Sequence, residues 1–541
     1  MPLRSLVAGF LTLVSAALPL RLAAQHGGAH AAAAEPDSAP ARLYREALGT
    51  FAWRVSTESA EAQAYFDQGV KLMYAFAPEE AHRSFVEARR LDPSCGMCWW
   101  GEAWALGPYL NGAMDSTDAP DATAAARRAH ELARARGTPV ERALAEAMTA
   151  RYREQHPAGG RKGLDSAYAG AMERVYARFT DDLQVAQLYA DALMLLEPRR
   201  GIWSVEKPSV ARIHAVLERA LAADVAHPGV CHSYIHATET TPRAGRAQTC
   251  GDILVNAMPG ASHLNHMPSH TYNRVGRWAD AVRSNEIAWA SDRRAAEGEA
   301  VSIYAGHNLH MLFFAASMDG QEARAMEAAD AYAALVPNGD GVALQALVRL
   351  RFGRWDDVLA IAAPPPNQVL RGLWSFARGE AHLHAGRRDS ALVYLARVDS
   401  LARTTPDSVN FRGHRAPRLL GIVHGLLRGD MLRTAGRPRE GIAVLERSVA
   451  MEDSLTYDEP EPLPFAARDW LGAALLEAGR ARDAERVYRA ALEDRAANGW
   501  SLFGLEQALR AQGRTAEADA ARAAFTTAWT RSRTMLTSSR F

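Results

Sequence analysis

Residues 471–491 read LGAALLEAGRARDAERVYRAA, and this stretch decides the fold. Two apolar helical runs meet at Gly479-Arg480, where glycine ends the first run in a left-handed cap. Gly472, Ala484 and Ala491 are small where a neighbouring helix would cross closely, and Tyr488 is bulky where a gap needs filling. The same turn recurs at Gly276, Gly320, Gly353, Gly386, Gly436 and Gly513, each followed five residues on by Ala, Gly or Val. All but Gly320 are followed by arginine, and the successive spacings are 44, 33, 33, 50, 43 and 34 residues. Such a period predicts stacked helix hairpins in which successive first helices build one inner surface.

The offsets can be tested at the other end of the chain. Tyr65, Gly69, Ala81, Phe85, Ala88 and Pro93 occupy the positions of the tetratricopeptide pattern, and Ala518 repeats Ala484 after 34 residues. A plain amphipathic bundle shares the apolar periodicity but not these fixed offsets. The fold class expected is therefore all-α, a TPR-type helical-hairpin solenoid wound as a right-handed superhelix.

Composition agrees with a soluble array. Lysine plus arginine and aspartate plus glutamate each number 62, which argues against a nucleic-acid surface. Residues 1–25, with Arg4 followed by an apolar stretch and Leu22-Ala23-Ala24, read as a signal peptide, so a periplasmic or secreted location is expected. Residues 26–48 begin HGGAHAAAAEPDSAPA and read as a flexible linker. Residues 49–292 read as an N-terminal TPR-like region with a histidine-rich groove, and 293–541 as a C-terminal TPR array. No later segment is long and apolar enough to anchor in a membrane.

Four cysteines in an exported chain invite pairing. Cys231 and Cys250 flank the Thr240-Thr241-Pro242 turn almost symmetrically, so an antiparallel helix pair would set them opposite one another as a disulfide. Cys95 and Cys98 form a Cys-x-x-Cys at a helix start. A local disulfide or two buried thiols is preferred there over redox catalysis, since the strand and helix context of a thioredoxin is absent.

Eight of the eighteen histidines fall between His227 and His310, in the segments CHSYIHATE, HLNHMPSH and HNLH. Spacings of three, four and seven set His232 with His236 and Glu239, His263 with His266 and His270, and His307 with His310 on single helix faces. Counting back from the glycine turns places these sets in three consecutive first helices, hence on the inner surface. The ligand set expected is His232, His236, His266, His270, His307 and His310 with Glu239, for a transition metal: zinc, copper, iron or nickel. The competing reading gives the same imidazoles hydrogen bonds to backbone or carboxylates in a peptide groove. His227 reads as a loop residue, and His382, His384, His414 and His424 share no alignment.

Weaker candidates surround these. Tyr234, Asn265, Tyr272, Tyr304 and Asn308 lie beside the histidines, placed to orient them or to bind a substrate; Trp203 lies in an insertion that would suit a lid. Asp115, Asp118 and Asp121 lack the glycine and terminal glutamate of a calcium loop. There is no phosphate-binding loop, dinucleotide fingerprint, serine-nucleophile elbow or His-Glu-x-x-His helix.

The segments YFDQGVKLMYAF, YIHATE, HMPSHTYNRVGRWADA and HNLHMLFFAA resemble those of a group of exported bacterial tetratricopeptide-repeat proteins. The resemblance spans roughly residues 50–335. It implies the fold, export and histidine helices as a feature of the group, but no activity. Two function classes follow: a scaffold binding a protein, peptide or small ligand in its concave groove, with a histidine-lined metal site as a specific form of it, or a metal-dependent hydrolase or oxidoreductase. In the second, Glu239 is a ligand or the general base for a bound water. With no motif naming a reaction, the scaffold is the preferred class.

Overall fold

The computed structural model of the chain describes residues 41–155, 157, 159–198, 203–336 and 339–541. These form helix hairpins throughout. The first are α1 (Ala60–Tyr74) with α2 (Pro78–Leu91), α3 (Gly96–Ala105) with α4 (Ala119–Arg136), α5 (Pro139–Met148) with α6 (Lys162–Arg178), and α7 (Leu183–Met194) with α8 (Pro208–Ala223). Then come α9 (Pro228–Glu239) with α10 (Gln248–Ala257), and a first helix divided into α11 (Ser262–His266) and α12 (Pro268–Val275), paired with α13 (Trp278–Ala295). The rest are α14 (Ala305–Met318) with α15 (Glu322–Leu335), α16 (Val342–Arg351) with α17 (Trp355–Ala360), α18 (Gln368–His384) with α19 (Arg388–Thr404), α20 (Ala416–Thr434) with α21 (Pro438–Asp453), α22 (Ala467–Glu477) with α23 (Ala481–Asp494), and α24 (Gly499–Arg510) with α25 (Thr515–Ala528). Between α19 and α20, β1 (Asn410–Phe411) and β2 (His414–Arg415) pair antiparallel around Arg412 and Gly413. The architecture is an all-α, TPR-type solenoid.

The glycine turns behave as their positions require. All seven have φ between 66° and 76°, a region open to glycine at little cost. At Gly479 the amide donates to Leu476 O (3.0 Å) and that of Arg480 to Leu475 O (2.8 Å), which satisfies two carbonyls at the end of α22. The following arginine also has local work: Arg277, Arg354, Arg437, Arg480 and Arg514 each reach an acid three residues on, at the first turn of the next helix.

Helix crossings follow the same logic. A Cβ on Gly472 or Gly504 would come within 2.4 Å and 2.2 Å of the Tyr488 ring, so the two glycines clasp it from α22 and α24. Gly69 and Gly101 clasp Phe85 in the same way. The tryptophans Trp100 and Trp104 fill space in the first core, as their bulk suggests.

The solenoid turns back on itself. Trp278 Nε1 donates to Ala496 O (2.9 Å), Trp500 Nε1 to Ser317 O (3.0 Å), and Arg531 pairs with Asp319 (2.7 Å), so the last hairpins rest on α13 and α14. The chain's final residues lie along the inner surface of the C-terminal array. Arg540 pairs with Asp430 of α20 and its carbonyl accepts from Arg351 of α16, while Phe541 sits edge-on to Trp470 of α22 and His384 of α18.

Three segment readings meet these facts differently. Residues 1–25 and 26–40 lie outside the described residues. Residues 41–48, assigned above to the linker, instead run against α1: Tyr65 donates to Ala41 O (2.9 Å), Gln68 to Arg42 O (2.7 Å), and Leu48 is fully buried. The boundary at 292/293 falls inside α13, because one core extends to Tyr304 while the other begins at Tyr272. Among the described residues, no helix is long and apolar enough to cross a membrane.

Candidate metal centre

Three first helices bring the histidines together, as the repeat phase requires. His232, His236 and Glu239 come from α9, His263 and His266 from α11, His270 from α12, and His307 from the first turn of α14. Their rings form a closed circuit with centroid separations of 4.9 Å (His232–His236), 6.0 Å (His236–His270), 4.7 Å (His270–His266), 5.7 Å (His266–His263) and 5.1 Å (His263–His232). His307 adjoins it, 4.6 Å from His266. Nitrogens of His232, His236 and His263 lie within 4.8 Å of one another, as do those of His266, His270 and His307. A third such group joins His270 to the carboxylates of Glu239 and Glu459.

Hydrogen bonds fix which nitrogen faces inward. His232 Nδ1 lies 2.5 Å from Tyr74 O, a carbonyl that only accepts, so Nδ1 carries the proton and Nε2 keeps its lone pair. That Nε2 is buried with no hydrogen-bond partner. Asn285 donates through Nδ2 to Ala281 O (2.8 Å), which turns its Oδ1 to His266 Nδ1 at 2.6 Å. Glu239 accepts from His236 Nδ1 (2.9 Å) and His270 Nδ1 (2.6 Å), and Glu459 lies 2.8 Å from the same His270 nitrogen. Outer nitrogens tied to oxygen acceptors, with the other nitrogen of each ring facing the cluster, is the arrangement of metal-ligating histidines.

Electrostatics vary within the cluster. Burial drives the His232 pKa well below the usual histidine value, so that ring stays neutral. Burial also opposes charge on His270, yet Glu459 and Glu239 outweigh it and raise its pKa to about 10. Its Nε2 lies 2.7 Å from His266 Nε2, a hydrogen-bond distance that a shared proton explains. A metal ion bound there would have to displace that proton.

Several expectations need correction. His310 is not part of the cluster: one turn beyond the start of α14 it stacks on Phe313 (4.7 Å), and its Nδ1 accepts from Arg412 (2.9 Å). His263, left out of the ligand set, stands inside it. The setting is a closed chamber rather than an open groove, since every histidine of the cluster is at most 8 % exposed. Among the flanking candidates, Tyr304 places its ring 5.0 Å from that of His263, whereas Tyr234, Tyr272, Asn265 and Asn308 bond to Glu218, Asp252, Pro259 O and Asp292. Trp203 sits at the end of α9, its amide on Thr240 Oγ1 (3.2 Å). His227 caps α9, and Asp115 caps a short turn. Both disulfides form, Cys231–Cys250 joining α9 to α10 and Cys95–Cys98 at the start of α3.

Two features of the chamber escaped sequence reasoning. Phe76 stands at φ 59° where later repeats use glycine, with its ring against His232 (4.3 Å), His236 (5.4 Å) and His263 (5.5 Å). Glu459 arrives on the loop between α21 and α22. That loop is pinned by Arg412, which pairs with Asp458 (2.8 Å) and donates to the carbonyls of Glu459 (3.0 Å) and Pro460 (2.8 Å).

No family model and no curated protein matches the chain. Among solved structures, it is similar to the human IFIT1 dimer with m7Gppp-AAAA, at 12% identity and a TM-score of 0.32 over 88% of this chain and 91% of that one. It is also similar to yeast Tom70, at 12% identity and a TM-score of 0.32 over 85% of this chain and 96% of that one. The APC/C hetero-tetramer Cut9-Hcn1 gives 12% identity and a TM-score of 0.29 over 87% and 74%. Superpositions this loose carry no argument about what the chain binds.

Proposed function

We propose that the chain is an exported helical-repeat protein of the bacterial group it resembles, and that it binds transition-metal ions in the histidine chamber. The observation that carries this reading is the convergence of six imidazoles, those of His232, His236, His263, His266, His270 and His307, with outer nitrogens of His232, His236, His266 and His270 held by oxygen atoms. Two neighbouring ions would each meet three nitrogens, and Glu239 with Glu459 would supply carboxylate oxygen beside His270. Ligation at about 2 Å asks the groups to contract by roughly 1 Å. Imidazole-rich sites suit zinc, copper, iron or nickel. Two disulfides accord with an oxidising compartment and support export.

Docking of a peptide on the inner surface is the weaker reading, because residues 539–541 already lie against α16, α18, α20 and α22 there. A catalytic role would fall to Glu239, whose two oxygens are engaged by His236 and His270.

Metal analysis of the protein purified from its export compartment, followed by zinc titration of the stripped protein, tests the proposal. Wild type and His310→Ala should hold metal in stoichiometric amount, while His236→Ala/His270→Ala should lose it with unchanged far-ultraviolet circular dichroism. Absence of metal from the wild type, with no uptake on titration, would overturn it.

A further inference from the structure

The chamber is closed on most sides, so an ion needs a way in. A cavity of about 560 Å³ lies between α12, α14 and the loop that carries Glu459. Of the cluster, His270 and Glu459 line it, and these are the residues joined by the 2.8 Å contact. Its outer rim includes the exposed Arg274 and the half-exposed Asp494, so it reaches solvent. The same cavity thus touches water at one end and the histidine cluster at the other.

Its acids and cations nearly balance. Glu452, Asp453, Asp458, Glu459, Glu461 and Asp494 stand in the wall with Arg274, Arg468, Arg495 and His270. Arg468 pairs with Asp453 and Asp494, Arg495 with Glu452 and Glu461, and Asp458 with Arg412 from outside the wall. Carboxylates thus line the cavity from the half-exposed Asp494 to Glu459, where a hydrated cation finds oxygen along its way. Trp278, Met311, Phe314 and Leu463 form its apolar side.

We infer that this cavity is the entry path of the metal ion, a hydrated divalent cation, and that Glu459 is the first ligand it meets before passing to His270 and the inner imidazoles. The inference rests on the metal-binding reading and adds a route and an order to it. On arrival the ion exchanges a water for a Glu459 oxygen. Beyond Glu459, which lies at His270 Nδ1, the ion would have to round the ring to reach Nε2, the nitrogen that faces His266.

The experiment follows zinc uptake by the stripped full-length protein in a stopped-flow instrument, with a chromogenic zinc chelator as reporter, and measures final stoichiometry on the same samples. Asn273→Trp narrows the cavity without touching the cluster, and Glu461→Gln/Asp494→Asn removes charge from the rim. The tryptophan variant should be slower by tenfold or more and the rim variant severalfold, both ending at wild-type stoichiometry. Uptake at the wild-type rate by both variants would overturn the route while leaving the metal site intact. Failure of the wild type to take up zinc at all would overturn the reading beneath it.

Discussion

The ring of Phe76 lies parallel to that of His236, with 7° between the planes and 5.4 Å between the centroids. To place it there the backbone holds a bulky residue at φ 59°, where the turns of the later repeats hold glycine. A non-glycine residue in this region costs about 1–3 kcal/mol. The cost is tolerated because the ring closes one side of the histidine chamber, touching His232 and His263 as well.

Replacing Phe76 by glycine should therefore separate two effects. The backbone relaxes, but the buried ring is lost, and large-to-small changes of buried Phe cost about 3–5 kcal/mol. Net destabilisation of about 1–3 kcal/mol is expected in chemical denaturation of the metal-free protein, with zinc affinity lowered by about 10-fold or more. An unchanged affinity would make the ring a space-filler only.

Glu459→Gln removes one of the two negative charges beside His270 while keeping its size. Competitive titration should show zinc bound about 10- to 100-fold more weakly. Glu461, two residues along the same loop, faces Arg495, and Glu461→Gln should leave the equilibrium affinity as it is.

Gly472→Ala tests the crossing at Tyr488. The added methyl meets the ring at 2.4 Å and forces it or α22 to shift, at about 1–3 kcal/mol. A lower thermal midpoint with unchanged zinc stoichiometry is expected. Equal midpoints would show that the hairpins slide freely.

Acid should weaken the metal-free fold through histidines outside the cluster. Burial holds His227 and His384 each down to about 4. Between the ordinary histidine value and 4, the unfolded chain binds protons that the folded one refuses, so stability falls as pH is lowered through that window. For His227 the slope approaches about 1.4 kcal/mol per pH unit. His227 accepts from Val230 N as a helix cap, and asparagine also caps, so His227→Asn should flatten the urea-midpoint profile between pH 7 and 4.

How far the chain could be read in advance depends on range. The Gly-Arg turns and the small-on-aromatic pairs Gly69–Phe85 and Gly472–Tyr488 are properties of one hairpin, so their offsets survive in the sequence. Three histidine sets in successive first helices were legible for the same reason. His310 was misassigned because its partners are not in its own hairpin: Arg412 reaches its Nδ1 from the segment between α19 and α20, a contact that helix spacing does not record. Phe76 left a signal: it stands five residues before Ala81, the slot that glycine fills in later repeats. Glu459 left none, for it sits in an aperiodic loop whose path is set by the tertiary contacts of Arg412.

That loop also sets an order of assembly. A nascent chain released only as far as α15 would possess all the imidazoles of the chamber but not its roof, and an ion caught then would sit in a bowl open to chelators. Firm retention of an ion would begin only when the loop between α21 and α22 closes over α12, so a tightly held ion would report that distant hairpins have met.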